Sequence, residues 1–399
     1  MKSPNFKILS GALLVAGTTI GAGMLGIPLV TAKAGFIPAM FITLGVWLYM
    51  YLTGLLFLEA KLWMHKGSHI LSITRHFLGK EGRWLAGVLF IFLYFSLMIA
   101  YFAAGAPIFG FFLSQMLGMS FSVMTSLAIF ALFFGIIVAI GMKLVDRANY
   151  ILMLGLIITY LILIIVGFSL IKPEYLSPTH WKSGWLAIPV LFSSFGYHNV
   201  IPSLADHFQQ NKKIMQKSLL YGTLMAFIFY ALWQWMIIGA IDPKAIEEAI
   251  KLGQPITFAL QSLSHKPWLY NIGQLFGLFA IVTSLLGVAF SMVDFMGDGL
   301  KMRRTGMHRV LLCILTFVPP LIFTLIDPSI FLLAIGIAGG FGEAFLNGIL
   351  PAWLVWVGRF KKHLKPHFAW MNSKIYLTII LLIGFLAMII EAFVLIYSP

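Results

Sequence analysis

Apolar stretches of twenty or more residues recur along this chain, separated by short polar segments that hold most of its Lys and Arg. About 20 consecutive apolar residues cross a bilayer core as a helix. Read on that scale, the pattern predicts eleven spans: 8–33, 36–60, 84–114, 121–142, 148–171, 184–206, 218–241, 270–297, 309–326, 329–357 and 375–397. With the N-terminus in the cytoplasm, 21 of the 27 Lys and Arg fall in cytoplasmic segments. Lys33, Lys172, Lys182, Lys244, Lys251 and Lys266 remain outside. That bias supports the orientation, which puts the C-terminus, Tyr397-Ser-Pro399, outside.

Two polar segments carry structure of their own. His69 to Leu78 predicts a short amphipathic helix on the inner face. Asp242-Pro243 predicts a helix start, with Asp as N-cap, Pro at the first position, and Ile246, Ala249 and Ile250 on one face. A second start follows at Gln254-Pro255. The pair suits either an external lid or a capped surface connector.

Composition sharpens the class. The chain has 399 residues, 60% hydrophobic and only 10% charged, with a mean hydropathy of +0.97. Soluble domains carry about 25% charged residues, so this is a multi-pass membrane protein with the lipid bilayer as its surroundings. The net charge of +14 comes from dispersed loops rather than one basic face, which excludes a nucleic-acid partner. The single cysteine, Cys313, rules out an internal disulfide and a cysteine metal site. Lys2 and Lys7 precede an apolar run as in a signal peptide, but the run is too long and lacks an A-x-A site, so a retained first helix is expected. His65 and His69 have helical spacing without a carboxylate partner, and no metal is expected there. No nucleotide loop, H-E-x-x-H or G-x-S-x-G motif is present.

Two spans are built to break. The first contains Gly17-Thr-Thr-Ile-Gly-Ala-Gly-Met-Leu-Gly-Ile-Pro28, with four glycines and a proline in an otherwise apolar run. The sixth contains Val190-Leu-Phe-Ser-Ser-Phe-Gly-Tyr-His-Asn-Val-Ile-Pro202. Gly21 lies seven residues before Pro28, and Gly196 six before Pro202. An intact first helix packed through small-xxx-small contacts is the alternative; the matched second site favours the break. Together they predict repeats over about 8–171 and 184–357, inverted because each holds five spans, with 375–397 appended. A half-helix beginning near Ala22 or Gly23 offers N–H groups to a carboxylate. Carbonyls freed at the ends of the first half-helices suit an ammonium or a small cation. Such a site fits an amino acid zwitterion.

Few ionisable residues lie deep in the bilayer. Glu343 sits midway along the tenth span and His198 inside the second break. Each is a candidate proton carrier or a structural hydrogen-bonding group. Glu59 and Asp294 fit interfacial ion pairs, and Glu391 is expected to reach water near the end of the last span. Thr283 and Ser284 can complete a cation or substrate site, or bond back to their own helix. Phe195 and Tyr197 are placed to stack on a substrate ring, with span three near Tyr101 as the alternative.

These motifs, with Leu58-Glu59-Ala60, Ser194-Phe-Gly196 and His198, and Thr283-Ser284 with Asp294-Phe295 and Asp298, resemble the hydroxy/aromatic amino acid permease family. That family lies in the amino acid–polyamine–organocation superfamily and includes bacterial tyrosine- and tryptophan-specific permeases. The resemblance implies an all-α, five-plus-five inverted repeat with broken helices 1 and 6, in the bacterial inner membrane. It implies proton-coupled uptake of an aromatic amino acid, no cofactor and no enzymatic activity. It implies substrate contacts at Thr19, Gly21, Ala22 and Gly23, and at Ser194, Phe195, Gly196 and Tyr197. Gly17, Ile20, Thr283 and Ser284 match a cation position of sodium-coupled relatives, although this break has no carboxylate. A channel would need polar rings along a continuous pore, and an enzyme a convergent nucleophile or metal set; neither is evident.

Overall fold

The computed structural model describes residues 4–263 and 267–397; Lys2, Lys266 and Ser398-Pro399, used above, lie outside them. Every long element is a helix, and no strand occurs among the described residues. In chain order the main helices are α1 (Pro4–Thr19), α2 (Gly23–Thr31), α3 (Phe36–Leu62), α4 (Ile70–Leu117), α5 (Val123–Ile140) and α6 (Met142–Phe168). They continue with α7 (Ile188–Ser194), α8 (Ile201–His207), α9 (Lys212–Ala240), α10 (Pro243–Lys251) and α11 (Pro267–Gly299). Then follow α12 (Gly306–Ile326), α13 (Phe331–Lys361) and α14 (Lys374–Tyr397).

Among the described residues nine helices are long and apolar enough to cross a membrane, and α1 with α2 makes a tenth span bent by 62°. The sixth predicted span consists of two seven-residue helices, α7 and α8, too short to qualify on that measure. So ten of the eleven expected spans follow from length and composition among the described residues, and the sixth does not qualify on that measure. Large apolar side chains such as Leu132, Ile165, Ile322 and Ile389 are exposed around the bundle. On a soluble protein this would be an aggregating surface; here it is the surface that meets lipid.

Local signals act as expected. Gly79 (φ 75°) bends α4 sharply, setting the amphipathic turn 70–78 apart from the spanning part. The Asp242 carboxylate caps α10 through the Lys244 N–H at 2.8 Å, with Pro243 at the first position. A 3₁₀ turn over Ile256–Ser262 follows. Both pack on α2. Within α13, Ala338–Ile349 is π-helical, a wider coil that interrupts a helix and often marks a functional segment.

The two sets of loops occupy opposite ends of the bundle. At one end, Glu59 of α3 accepts two hydrogen bonds from the Arg359 guanidinium (2.8 and 2.7 Å) and a third from the Phe368 N–H (3.2 Å). Lys61 pairs with Asp206 at 2.8 Å and also donates to the Ser68 carbonyl. At the other end His180 N–H donates to the Ala34 carbonyl, and Lys172 N–H to Gly239. The expected pairing of Glu59 is present, but buried rather than interfacial: both side chains are at most 2% exposed. Asp294 keeps the interfacial form, 3.5 Å from a half-exposed Arg304. Glu391 differs from expectation. It is 2% exposed, because α14 lies against Gly336 and Gly340 of α13 and the missing side chains there leave room for the carboxylate.

Burial makes the Glu59–Arg359 pair expensive to break. Arg359→Met leaves a charged carboxylate buried and should cost about 3–5 kcal/mol. Arg304→Met, at an exposed pair, should stay within about 1 kcal/mol. Thermal midpoints of the detergent-solubilised variants check the difference.

Candidate functional site

The two breaks meet. The first covers Ile20–Ala22 between α1 and α2, and the second Phe195–Val200 between α7 and α8. A Cβ added to Gly23 would lie 2.8 Å from the Ser194 Cα, so α2 and α7 touch backbone to backbone there. Tyr230 of α9 joins the breaks from behind. Its hydroxyl lies 2.6 Å from the Thr19 carbonyl and 2.8 Å from that of Ser194, donating its hydrogen between two carbonyls that the breaks set free. Trp233, one turn on, donates to the Met24 carbonyl at 3.0 Å. On the facing side the Ala22 N–H donates to Ser284 Oγ of α11 at 3.1 Å.

In front of the breaks lies a cavity of about 380 Å³, within the usual range for small-molecule sites of about 300–1,000 Å³. Gly17, Thr19, Ile20, Gly21, Ala22 and Gly23 form one wall, so the N-terminal, positive end of α2 borders it. Thr283, Ser284, Gly287 and Ser291 of α11 form the next. Gly196 and Asn199 come from the second break, Glu343 and Asn347 from the π-helical turn of α13, and Phe90, Tyr94 and Tyr101 from α4. The lining continues to Leu13 and Leu14 of α1 and Asn149 of α6, toward the end that carries the Glu59–Arg359 pair. It includes no residue of α2 beyond Gly23.

Glu343 reaches the second break because Gly196 has no side chain: a Cβ there would sit 2.5 Å from the carboxylate. The Asn347 side-chain amide donates to the same carboxylate. Gly339 brings α13 so close to α7 that a Cβ would overlap the Pro189 carbonyl. Together these small residues let an acidic side chain enter the gap between two half-helices.

Thus the four positions of the expected cation site, Gly17, Ile20, Thr283 and Ser284, line one cavity together with Thr19, Gly21, Ala22, Gly23, Gly196 and Glu343. Thr283 donates back to the Phe279 and Ala280 carbonyls of its own helix. Ser194, Phe195, Tyr197 and His198 do not line the cavity. Ser194 donates to the Val190 carbonyl, and Phe195 packs edge-on against Tyr230 at 5.1 Å. Tyr197 is fully buried against α3, donating to the Met50 carbonyl at 3.2 Å, and His198 hydrogen-bonds Thr53 at 3.0 Å. The residues that sequence reasoning passed over are Tyr230, Tyr94, Asn149 and Asn347. Some left a trace: Asn347 follows Glu343 by one turn, and Tyr94 shares a helix face with Tyr101.

The family model for tryptophan/tyrosine permeases matches residues 4–391. The chain belongs to that family. Among its relatives, the tyrosine-specific transport system 1 of Haemophilus influenzae is 33% identical over 95% of both chains. The tryptophan-specific transport protein of Pseudomonas aeruginosa is 30% identical, over 95% of this permease and 92% of that protein. The crystal structure of MhsT in complex with L-phenylalanine superposes with a TM-score of 0.66 at 15% identity, covering 96% of this chain and 98% of that one. At that identity the likeness speaks for the fold. The family's members are permeases, not enzymes.

The contacts at the breaks make distinct predictions for two neighbouring glycines. Gly23→Ala meets backbone and should force α2 from α7, abolishing substrate binding. Gly21→Ala meets only the Ser284 side chain, so Ser284→Ala in the same chain should restore much of the binding lost. Tyr230→Phe removes a hydrogen bond worth about 1 kcal/mol and should weaken apparent affinity about fivefold. Binding assays on purified protein, with surface expression as control, check all three.

Proposed function

We propose that this permease imports tyrosine or tryptophan by alternating access, driven by proton symport. The observation that carries the reading is the cavity at the two breaks, lined by a helix N-terminus, the Glu343 carboxylate and aromatic rings. The α2 end suits the substrate carboxylate, as does the Ala22–Ser284 region beside it. Phe90, Tyr94 and Tyr101 are the rings that line the cavity, and they are the better candidates for stacking on a substrate ring than the packed Phe195 and Tyr197. The names of the tyrosine- and tryptophan-specific relatives support the substrate class. Their shared fold is best read as two inverted repeats of five spans.

Two further assignments belong to this proposal. The N-terminus lies in the cytoplasm of a bacterial inner membrane, because the loops tied together by Glu59–Arg359 and Lys61–Asp206 are those with the excess of Lys and Arg. The described conformation then opens inward, since the cavity lining runs toward that end. Glu343 is the proton carrier: it is the carboxylate within the cavity, whereas His198 lies behind the break. A sodium-coupled reading is the alternative, favoured by the convergence of Gly17, Ile20, Thr283 and Ser284 on one wall.

Uptake of labelled tyrosine and tryptophan into proteoliposomes tests the proposal. A proton gradient should drive accumulation. Glu343→Gln should block accumulation yet preserve exchange of substrate across the membrane, while His198→Gln should keep both. Accumulation driven by sodium at constant pH, and indifferent to Glu343→Gln, would falsify proton coupling. For the ring pocket, Tyr101→Ala or Phe90→Ala should lower affinity several-fold, a loss of about 1 kcal/mol. Equal affinity in both variants, with a loss in Phe195→Ala instead, would return the pocket to the second break.

A further inference from the structure

A second hollow, of about 530 Å³, lies outside the substrate cavity. It opens between the amphipathic turn 70–78, the start of the spanning part of α4 and the C-terminal end of α11. Its floor is apolar: Gly87, Val88 and Ile91 on α4, Phe295 on α11 and Leu300 just past its end. Its rim is basic, formed by Arg75, Lys80 and Arg83. None of these three makes an ion pair among the described residues. The nearest acidic groups of α11, Asp294 and Asp298, are engaged with Arg304, and the exposed Glu81 is not part of the lining. Trp84, 75% exposed, stands beside the rim, where an amphipathic ring marks the boundary between hydrocarbon and water.

From this geometry we propose that the hollow is a binding site for an anionic phospholipid of the leaflet at the basic end. Three unpaired cations above an apolar slot match a phosphodiester headgroup above an acyl chain. A free phosphate would leave the slot empty, and a zwitterionic lipid brings no net charge to the three cations. The chain would run over Gly87, where an added Cβ finds Phe295 at 3.9 Å and Leu71 at 4.0 Å, so a larger side chain there occupies the slot.

The site shares a wall with the substrate cavity. Phe295 stacks on Phe90 with ring centroids 5.4 Å apart and planes within 15°, and Phe90 lines the substrate side. A lipid in the slot therefore braces the ring pair that separates the two hollows, on the side where the cavity lining reaches the basic end.

Native mass spectrometry of the full chain in detergent, titrated with dioleoylphosphatidylglycerol or dioleoylphosphatidylcholine, tests the proposal. A basic side chain near an anionic lipid surface contributes about fivefold in binding, so three give about a hundredfold preference for the anionic lipid. Arg75→Ala/Lys80→Ala/Arg83→Ala should erase that preference, and Arg75→Lys/Arg83→Lys should retain most of it. Gly87→Leu should lower retention of the anionic lipid with the charges untouched. Equal retention by the triple alanine variant and the parent overturns the site, as does a parent without preference. Displacement of the lipid by inorganic phosphate at equal concentration would reduce it to a bare anion site, and unchanged binding in Gly87→Leu would remove the acyl slot.

Discussion

A bilayer supplies no water to a broken helix, and the rest of this structure answers that constraint. Breaking α1 from α2 and α7 from α8 frees backbone groups at the middle of the bundle. Tyr230 takes up the carbonyls of Thr19 and Ser194 with one hydroxyl. Ser284 accepts the Ala22 N–H, and Trp233 caps the Met24 carbonyl. The breaks are thus held by α9 behind and α11 in front. Because Gly23 sets the α2–α7 distance by backbone contact, the position of that backbone is fixed by packing, independent of any guest.

The ends of the bundle are closed by different chemistry. At the basic end, a buried ion pair joins α3 to α13 and a partly exposed one joins α3 to α8, and each carboxylate also accepts a backbone N–H: Phe368 on Glu59 and Gly67 on Asp206. Such pairs have specific geometry and tolerate no loss of one partner. At the other end contacts are backbone to backbone and apolar. Gly35, in a positive-φ conformation, abuts the Pro178 carbonyl, and Gly253 in the same region of φ abuts Ser329. The Asp242-capped helix and its 3₁₀ extension lie there over α2, as either a lid or a connector would.

Much of the fold was legible in the chain because its signals are local. A run of apolar residues reports a span regardless of its neighbours, and Lys and Arg counts separate the two ends. The motif of Gly21 with Pro28 and that of Gly196 with Pro202 mark breaks, since the lost hydrogen bonds are a property of the residues themselves. Asp242-Pro243 marks a cap on the same grounds. Glu343 was legible as a deep carboxylate because any such residue in lipid must find a partner or a role. Its partner Asn347 is one helical turn away, within the reach of the same reasoning.

What the sequence could not contain was direction. Phe195 and Tyr197 stand at the break as expected, but a bend of the chain turns one against Tyr230 and the other into α3. Glu391 lies near a helix end, where sequence position suggests water, yet α14 packs on glycines of α13 and buries it. The rings that line the cavity come from α4, far along the chain from either break. Hydrophobicity, breaks and charge sidedness are sums over neighbours in sequence, so the sequence by itself determined a multi-pass helical bundle with two interrupted spans. Which side chains converge on the interruption depends on helix rotation and crossing, set by contacts between residues far apart in sequence such as Gly23–Ser194 and Ala22–Ser284, and only the tertiary structure decided those.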